Sequence, residues 1–255
     1  MENNTKKIIN QVTYFYDSDN RCVQKAYSAD LCKSETRYVY NEQNLLIYED
    51  VDIIRDIGSC SPLSEYHSHC VYIYNTQRQL IRKINTVVGI ASTVGDARIN
   101  VVDYTYDMDG NLYTSISRDG HYGKKKMINQ MKYKYHYDDN NHKIKESFRE
   151  YDPDEGDDEY EKNYEYNDQG QLVCERKRKD CGHCDDLVIY YYYNDNGLLI
   201  KSWSRLYVAL YEYDEAKRII RKTTTSNIAP DTVVISSYLY NENGNLIHEC
   251  EYIEM

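Results

Sequence analysis

Tyr104-Thr105-Tyr106-Asp107-Met108-Asp109-Gly110-Asn111-Leu112 is the stretch that decides the fold. Its period-two alternation places Tyr104 and Tyr106 on one face of a strand and Thr105 on the other. Asp107 can open a turn by accepting a backbone N–H, and Gly110 tolerates positive φ. The stretch therefore reads as a β-hairpin with a type I turn and a G1 bulge. Counted outward, Asp107 opposes Asn111, Tyr106 opposes Leu112 and Tyr104 opposes Thr114. Both tyrosines and Leu112 then share one face, with Thr105 and Tyr113 on the other.

The pattern recurs along the chain. Tyr-x-Tyr runs into Asp17, Asn41, Asn75, Asp107, Asp138, Asn167, Asn194, Asp214 and Asn241. Three residues later stand Asn20, Asn44, Arg78, Gly110, Asn141, Gly170, Gly197, Lys217 and Gly244. All but Arg78 and Lys217 are Gly or Asn, the residues most at ease in the left-handed region. A pair such as Leu80-Ile81 or Leu199-Ile200 follows, its second member apolar or aromatic in every copy.

Nine hairpins need twice as many strands, and open twisted sheets rarely exceed roughly 10 strands without curling. The expected fold is all-β: about nine tandem β-hairpins in one continuous, strongly curved antiparallel sheet, an open shell or spiral. It forms a single domain over residues 1–255, with repeat motifs from 14 to 247 and a minor helix at most in Ser59–His69. With 30 Tyr against 2 Phe and 1 Trp, and a mean hydropathy of -0.81, much of the buried surface must come from amphipathic tyrosine rings.

Asp plus Glu number 42 and Lys plus Arg 31, a net charge of -11. That balance opposes phosphate-backbone binding, so nucleic acid is not an expected partner. No apolar run approaches the roughly 18 residues of a helical membrane span. The first residues, MENNTKKIINQ, lack the apolar core of a secretory signal. From these features the chain is expected in the cytoplasm with no membrane partner, and its 8 cysteines are expected to be reduced.

The repeat Tyr104-Thr105-Tyr106-Asp107-x-x-Gly110-Asn111-Leu112 resembles the tyrosine–aspartate (YD) repeat of the Rhs family, and the resemblance runs from about Tyr14 to Ile247. It implies a curved β-sheet shell; in large family members such a shell encloses a C-terminal toxin, while other members are associated with cell-surface carbohydrate or protein binding. Eight residues follow Ile247, so a toxin domain is not expected here. The resemblance transfers no catalytic residue to this chain.

Candidate chemistry is sparse. Cys181-Gly182-His183-Cys184 spells a thiol–disulfide site, but it sits at an expected hairpin tip without the helix N-terminus that would stabilise a thiolate. Cys181, His183 and Cys184 remain the candidates for a metal, and the reading is of loop cysteines without one; no cofactor is expected. Cys60 and Cys70 with His67 and His69 offer four donors, but their spacing fits no standard finger, so they read as a loop insertion. The densest charge run holds Asp152, Asp154, Glu155, Asp157, Asp158 and Glu159, and its glycine falls at the wrong position for a calcium loop. These six are the candidate partner-binding residues, on a mobile inter-strand loop.

Acidity, the repeat resemblance and the lack of a catalytic motif point to a non-enzymatic binding protein. The expected function is a cytoplasmic protein-interaction module, such as an immunity protein or antitoxin that binds a basic toxin. The alternative is a carbohydrate-binding, cell-surface YD-repeat protein whose uncovered tyrosine rings stack on sugars.

Overall fold

The computed structural model describes residues 6–30, 32–55, 64–89, 97–121, 127–152, 156–179, 186–229 and 232–254. The strands are β1 (Lys6–Tyr16), β2 (Cys22–Ala29), β3 (Cys32–Tyr40), β4 (Leu46–Arg55), β5 (Ser64–Tyr74), β6 (Leu80–Gly89), β7 (Arg98–Tyr106), β8 (Leu112–His121) and β9 (Met127–Tyr137). They continue as β10 (Lys143–Asp152), β11 (Gly156–Tyr166), β12 (Leu172–Lys179), β13 (Leu187–Tyr193), β14 (Leu199–Ser204), β15 (Tyr207–Tyr213), β16 (Ile219–Ser226), β17 (Val233–Tyr240) and β18 (Leu246–Glu254). No helix occurs among the described residues; 64–69, read from sequence as part of a minor helix or loop insertion, lie in β5.

All 18 strands form one sheet in chain order, and β18 returns to pair with β1 in antiparallel register, Thr13 opposite His248 and Gln11 opposite Cys250. The sheet is closed. The open shell or spiral expected from the sequence is thereby corrected to a closed 18-stranded antiparallel β-barrel. Closure has a physical reason: an open sheet presents two rows of unpaired backbone groups, and only closing the ring removes them.

The turns follow the sequence reading. At the Asp107 turn, the Gly110 N–H donates to the Asp107 carbonyl at 3.2 Å and the Asp107 N–H to the Asn111 carbonyl at 2.9 Å. One Asp107 carboxylate oxygen accepts from the N–H groups of Asp109 and Asn111. The left-handed residue has positive φ in every repeat, and Arg78 (65°) and Lys217 (62°) adopt the same turn as Gly110 (84°).

One register detail differs from the sequence reading. Tyr106 does oppose Leu112, but Thr105 opposes Thr114 and Tyr104 opposes Ser115, not Thr114. Tyr113 is an extra residue, a second bulge just beyond the turn. The same slip leaves Ile81, Ile200, Ile220 and Ile247 unpaired in their hairpins. In each of these copies the second member of the apolar pair stands off the ladder, on the face opposite the tyrosines.

The second tyrosine of a repeat reaches back to the preceding hairpin. Tyr106 donates its hydroxyl to the Leu80 carbonyl, Tyr137 to that of Leu112, Tyr213 to that of Leu199 and Tyr240 to that of Ile219, at 2.8–3.0 Å. Tyr16 closes the series on Leu246. Phenylalanine cannot make this bond, which accounts for tyrosine at the position. The first tyrosine meets polar side chains of the neighbouring return strand: Tyr72 donates to Glu49 at 2.5 Å, and Tyr211 lies 3.3 Å from the Ser202 hydroxyl. Most of the buried residues, including Cys70, Ser115, Glu146, Phe148, Ser202 and Ala209, lie on this tyrosine face. The core is thus aromatic and polar, and each hydroxyl of the series is half-buried and bonded to its partner.

By contacts the chain divides into two compact units. The first comprises Met1–Lys33, Glu165–Arg176 and Leu187–Met255, and contains the β1–β18 seam. The second comprises Ser34–Tyr164 and Lys177–Asp186. In the second unit Phe148 stacks on Tyr160 with centroids 4.4 Å apart, and Lys143 lies over the Tyr164 ring at 4.6 Å and 2.9 Å from Glu146.

Candidate metal centre

Strands β4 and β5 of the second unit carry two short alternations, Asp50-Val51-Asp52 and His67-Ser68-His69. Antiparallel pairing sets Asp50 opposite His69 and Asp52 opposite His67. Period two puts all four side chains on the face opposite the repeat tyrosines. The two imidazoles meet edge to face, centroids 4.1 Å apart.

Asp50 Oδ1 lies 3.1 Å from His67 Nε2 and 2.8 Å from His69 Nδ1. It is shielded from solvent, yet no hydrogen bond forms to it. The approach is close, so the obstacle is direction: the donors converge without aiming protons at one another. His67 Nδ1 lies 2.5 Å from Asp52 Oδ1. A carboxylate there holds the imidazole proton on Nδ1 and leaves the Nε2 lone pair pointing at the cluster. The Tyr48 hydroxyl hydrogen-bonds with His69 Nδ1. Burial, and then the charge of Asp50, raise the Tyr48 pKa above that of a free phenol. The Arg37 guanidinium stands 3.4 Å from Asp52 and 4.0 Å from Asp50, offsetting part of the acidic charge.

Asp50, His67 and His69 offer one ligand atom each, all within 4.8 Å of one another. Tetrahedral coordination with bonds of about 2.1 Å separates donors by about 3.4 Å, so small side-chain shifts suffice to chelate an ion. Two imidazoles and a carboxylate suit zinc and its first-row neighbours.

The residues singled out in the sequence fare differently. Cys181, His183 and Cys184 lie outside the described residues, as do Asp154, Glu155 and Cys60. Asp152 ends β10, and Asp157, Asp158 and Glu159 belong to β11, opposite Tyr151, Glu150 and Arg149. The acidic run is therefore strand up to 152 and again from 156, not one mobile loop, and Glu159 is ion-paired to Arg149 at 3.1 Å. Cys70 does not join His67 and His69: one residue further along β5, it faces the tyrosines and is buried. Cys22, Cys32, Cys70, Cys174 and Cys250 are free thiols. Sequence reasoning missed Asp50 and Asp52, whose signal was an Asp-x-Asp alternation on the strand before His-x-His.

No family model matches the chain, and no curated protein does. Among solved structures, a porin-like protein from Bacteroides uniformis is similar over 98% of this chain and 96% of that one, at 10% identity and a TM-score of 0.44.

The closed sheet overturns several expectations. The expected cytoplasmic location without a membrane partner rests on the lack of a long apolar run, and that test concerns helices alone. No helix of the structure is long and apolar enough to cross a membrane, which says nothing of a barrel, the other form in which chains cross. The immunity-protein reading places the chain in the cytoplasm against a basic partner, and its carbohydrate-binding alternative needs tyrosine rings left uncovered. In the closed sheet the repeat tyrosines line the face that holds most of the buried residues, with hydroxyls such as those of Tyr106 and Tyr137 engaged. The cytoplasmic location, the exclusion of a membrane, the basic toxin partner and the sugar-stacking surface are set aside.

Proposed function

We propose that this chain is a non-enzymatic YD-repeat barrel that binds a divalent transition metal through Asp50, His67 and His69. The observation that carries the reading is Asp50 Oδ1, shielded from solvent, close to two imidazole nitrogens and hydrogen-bonded to neither. A buried oxygen in that position needs a positive partner, and an ion at the meeting point of the three donors supplies one. The placement of Asp52 behind His67 is that of an outer carboxylate which orients a metal-binding imidazole. Support for the repeat reading comes from the turn shared by all the hairpins, including the two with Arg78 and Lys217.

The test is titration of the full-length chain with Zn²⁺ and with Co²⁺, the latter followed by its visible spectrum, in a Cys181→Ser/Cys184→Ser background. One bound ion is expected, with a cobalt spectrum lacking a thiolate charge-transfer band. Asp52→Asn should weaken binding by about 10- to 100-fold, the usual effect of losing an outer carboxylate. Binding that survives His67→Gln and His69→Gln together, or no binding of either ion, contradicts the proposal.

A further inference from the structure

A second site lies in the same unit, on the face opposite the repeat tyrosines. Lys132 of β9 sits directly opposite Arg149 of β10, and Arg149 opposite Glu159 of β11. One step along, Lys134 opposes Ser147, and Ser147 opposes Glu161. These side chains and Arg178 of β12 line a groove of ≈ 450 Å³. It holds four cations and two carboxylates, in a chain whose net charge is -11.

Both carboxylates are already engaged. Glu159 pairs with Arg149 at 3.1 Å, and Glu161 with Lys145 at 2.6 Å. The Tyr113 ring lies under the Lys134 ammonium at 5.5 Å and helps fix it at the groove wall. Like charges directly opposite on neighbouring strands are destabilising, so the Lys132–Arg149 pair works against the fold at that point. An acidic protein that concentrates cations and sets two of them face to face has a local field suited to an anion.

We propose that this groove binds a small tetrahedral oxyanion or a ligand that bears one, such as a phosphate or sulfate ester. Arg149 and Arg178 have planar forks that match paired oxyanion oxygens, Lys132 and Lys134 are point charges, and Ser147 adds a hydroxyl donor. The volume exceeds that of a bare anion and falls in the range of small-molecule sites.

Calorimetric titration of the full-length chain with pyrophosphate, inorganic phosphate and sulfate tests this, at constant ionic strength and with a chelator present, so that the Asp50 cluster plays no part. Saturable binding of at least one of the three is expected. Preference for pyrophosphate marks a phosphorylated ligand, and equal binding of sulfate marks general oxyanion recognition. Lys132→Gln and Arg178→Gln should each weaken binding by about tenfold, the loss of one charge-assisted hydrogen bond. Lys132→Gln should also raise the melting temperature, because it removes the like-charge pair; a residue with a purely structural role would lower it. Arg118→Gln, whose side chain pairs with Asp103 at 2.6 Å outside the groove, should leave binding unchanged. No saturable binding of any of the three anions, or equal weakening by Arg118→Gln and Lys132→Gln, overturns the proposal.

Discussion

Tyr16 donates its hydroxyl to the carbonyl oxygen of Leu246 at 2.8 Å, across 230 residues of sequence. The bond is the same one that joins Tyr106 to Leu80 within consecutive repeats. The last hairpin therefore treats the first as its next neighbour. Tyr16→Phe should destabilise the chain by about 1 kcal/mol, the net value of one hydrogen bond, and leave the Leu246 carbonyl without its partner. Thermal melting and amide exchange along β1 and β18 should both register the loss. Unchanged exchange at that seam would show that the bond contributes nothing to closure.

The turn residues test the shared conformation of the hairpins. Arg78 and Lys217 hold φ of 65° and 62°, where a non-glycine residue carries strain of about 1–2 kcal/mol. Lys217→Gly should therefore raise the melting temperature. Gly197→Val should lower stability by about 1 kcal/mol or more. At Gly197 an added Cβ would also stand 3.2 Å from Gln171 Nε2, which bonds the Gly197 carbonyl. Opposite signs for these two substitutions are the expected outcome of paired denaturation curves.

Alkaline pH should unfold the barrel through its tyrosines. Burial lifts the phenol pKa of Tyr104 and Tyr238, and at Tyr72 and Tyr191 hydrogen bonds to Glu49 and Glu175 add to it. A raised folded pKa means that the stabilisation is complete below the unfolded value, about 10 for tyrosine, and is lost as pH rises towards the folded value. The phenolates of these four residues should form above about pH 10 and together with loss of the β-sheet circular dichroism. Titration of Tyr72, Tyr104, Tyr191 and Tyr238 near about pH 10 with the sheet intact, followed residue by residue, would contradict the tyrosine-face assignment. At the acid end, hydrogen bonds from Arg82 and Arg118 hold Asp103 below the usual carboxylate value. Its contribution is present above that value and is lost as pH falls through the folded pKa.

Much of this architecture was legible in residues 104–112. The alternation of Tyr104, Thr105 and Tyr106, with Asp107 and Gly110 after them, specifies strand, turn and face by local chemistry alone. The second bulge at Tyr113 was not legible, because an apolar residue there fits equally a paired strand position. Closure was out of reach for a different reason: Tyr16 carries no mark that its partner is Leu246 rather than solvent at an open edge. The metal cluster fell between these cases. Proximity in sequence groups His67 and His69 with Cys60 and Cys70. Only the pairing of Asp50 with His69 shows that the third donor comes from the strand before, and that Cys70 points the other way.

The closed sheet is tested most directly by a cross-link at its seam. Gln11 lies directly opposite the native Cys250, across the pairing that joins the first strand to the last. Directly opposed residues in an antiparallel pair have Cα atoms about 4.5–5.5 Å apart, within disulfide range. Mild oxidation of Gln11→Cys should give a monomer in which peptides bearing positions 11 and 250 are joined, identified by mass spectrometry and abolished in Gln11→Cys/Cys250→Ser. Near-complete intramolecular linkage is the result the closed barrel requires. If the two peptides remain separate, or join only between molecules, the ends of the sheet do not meet and the barrel is open.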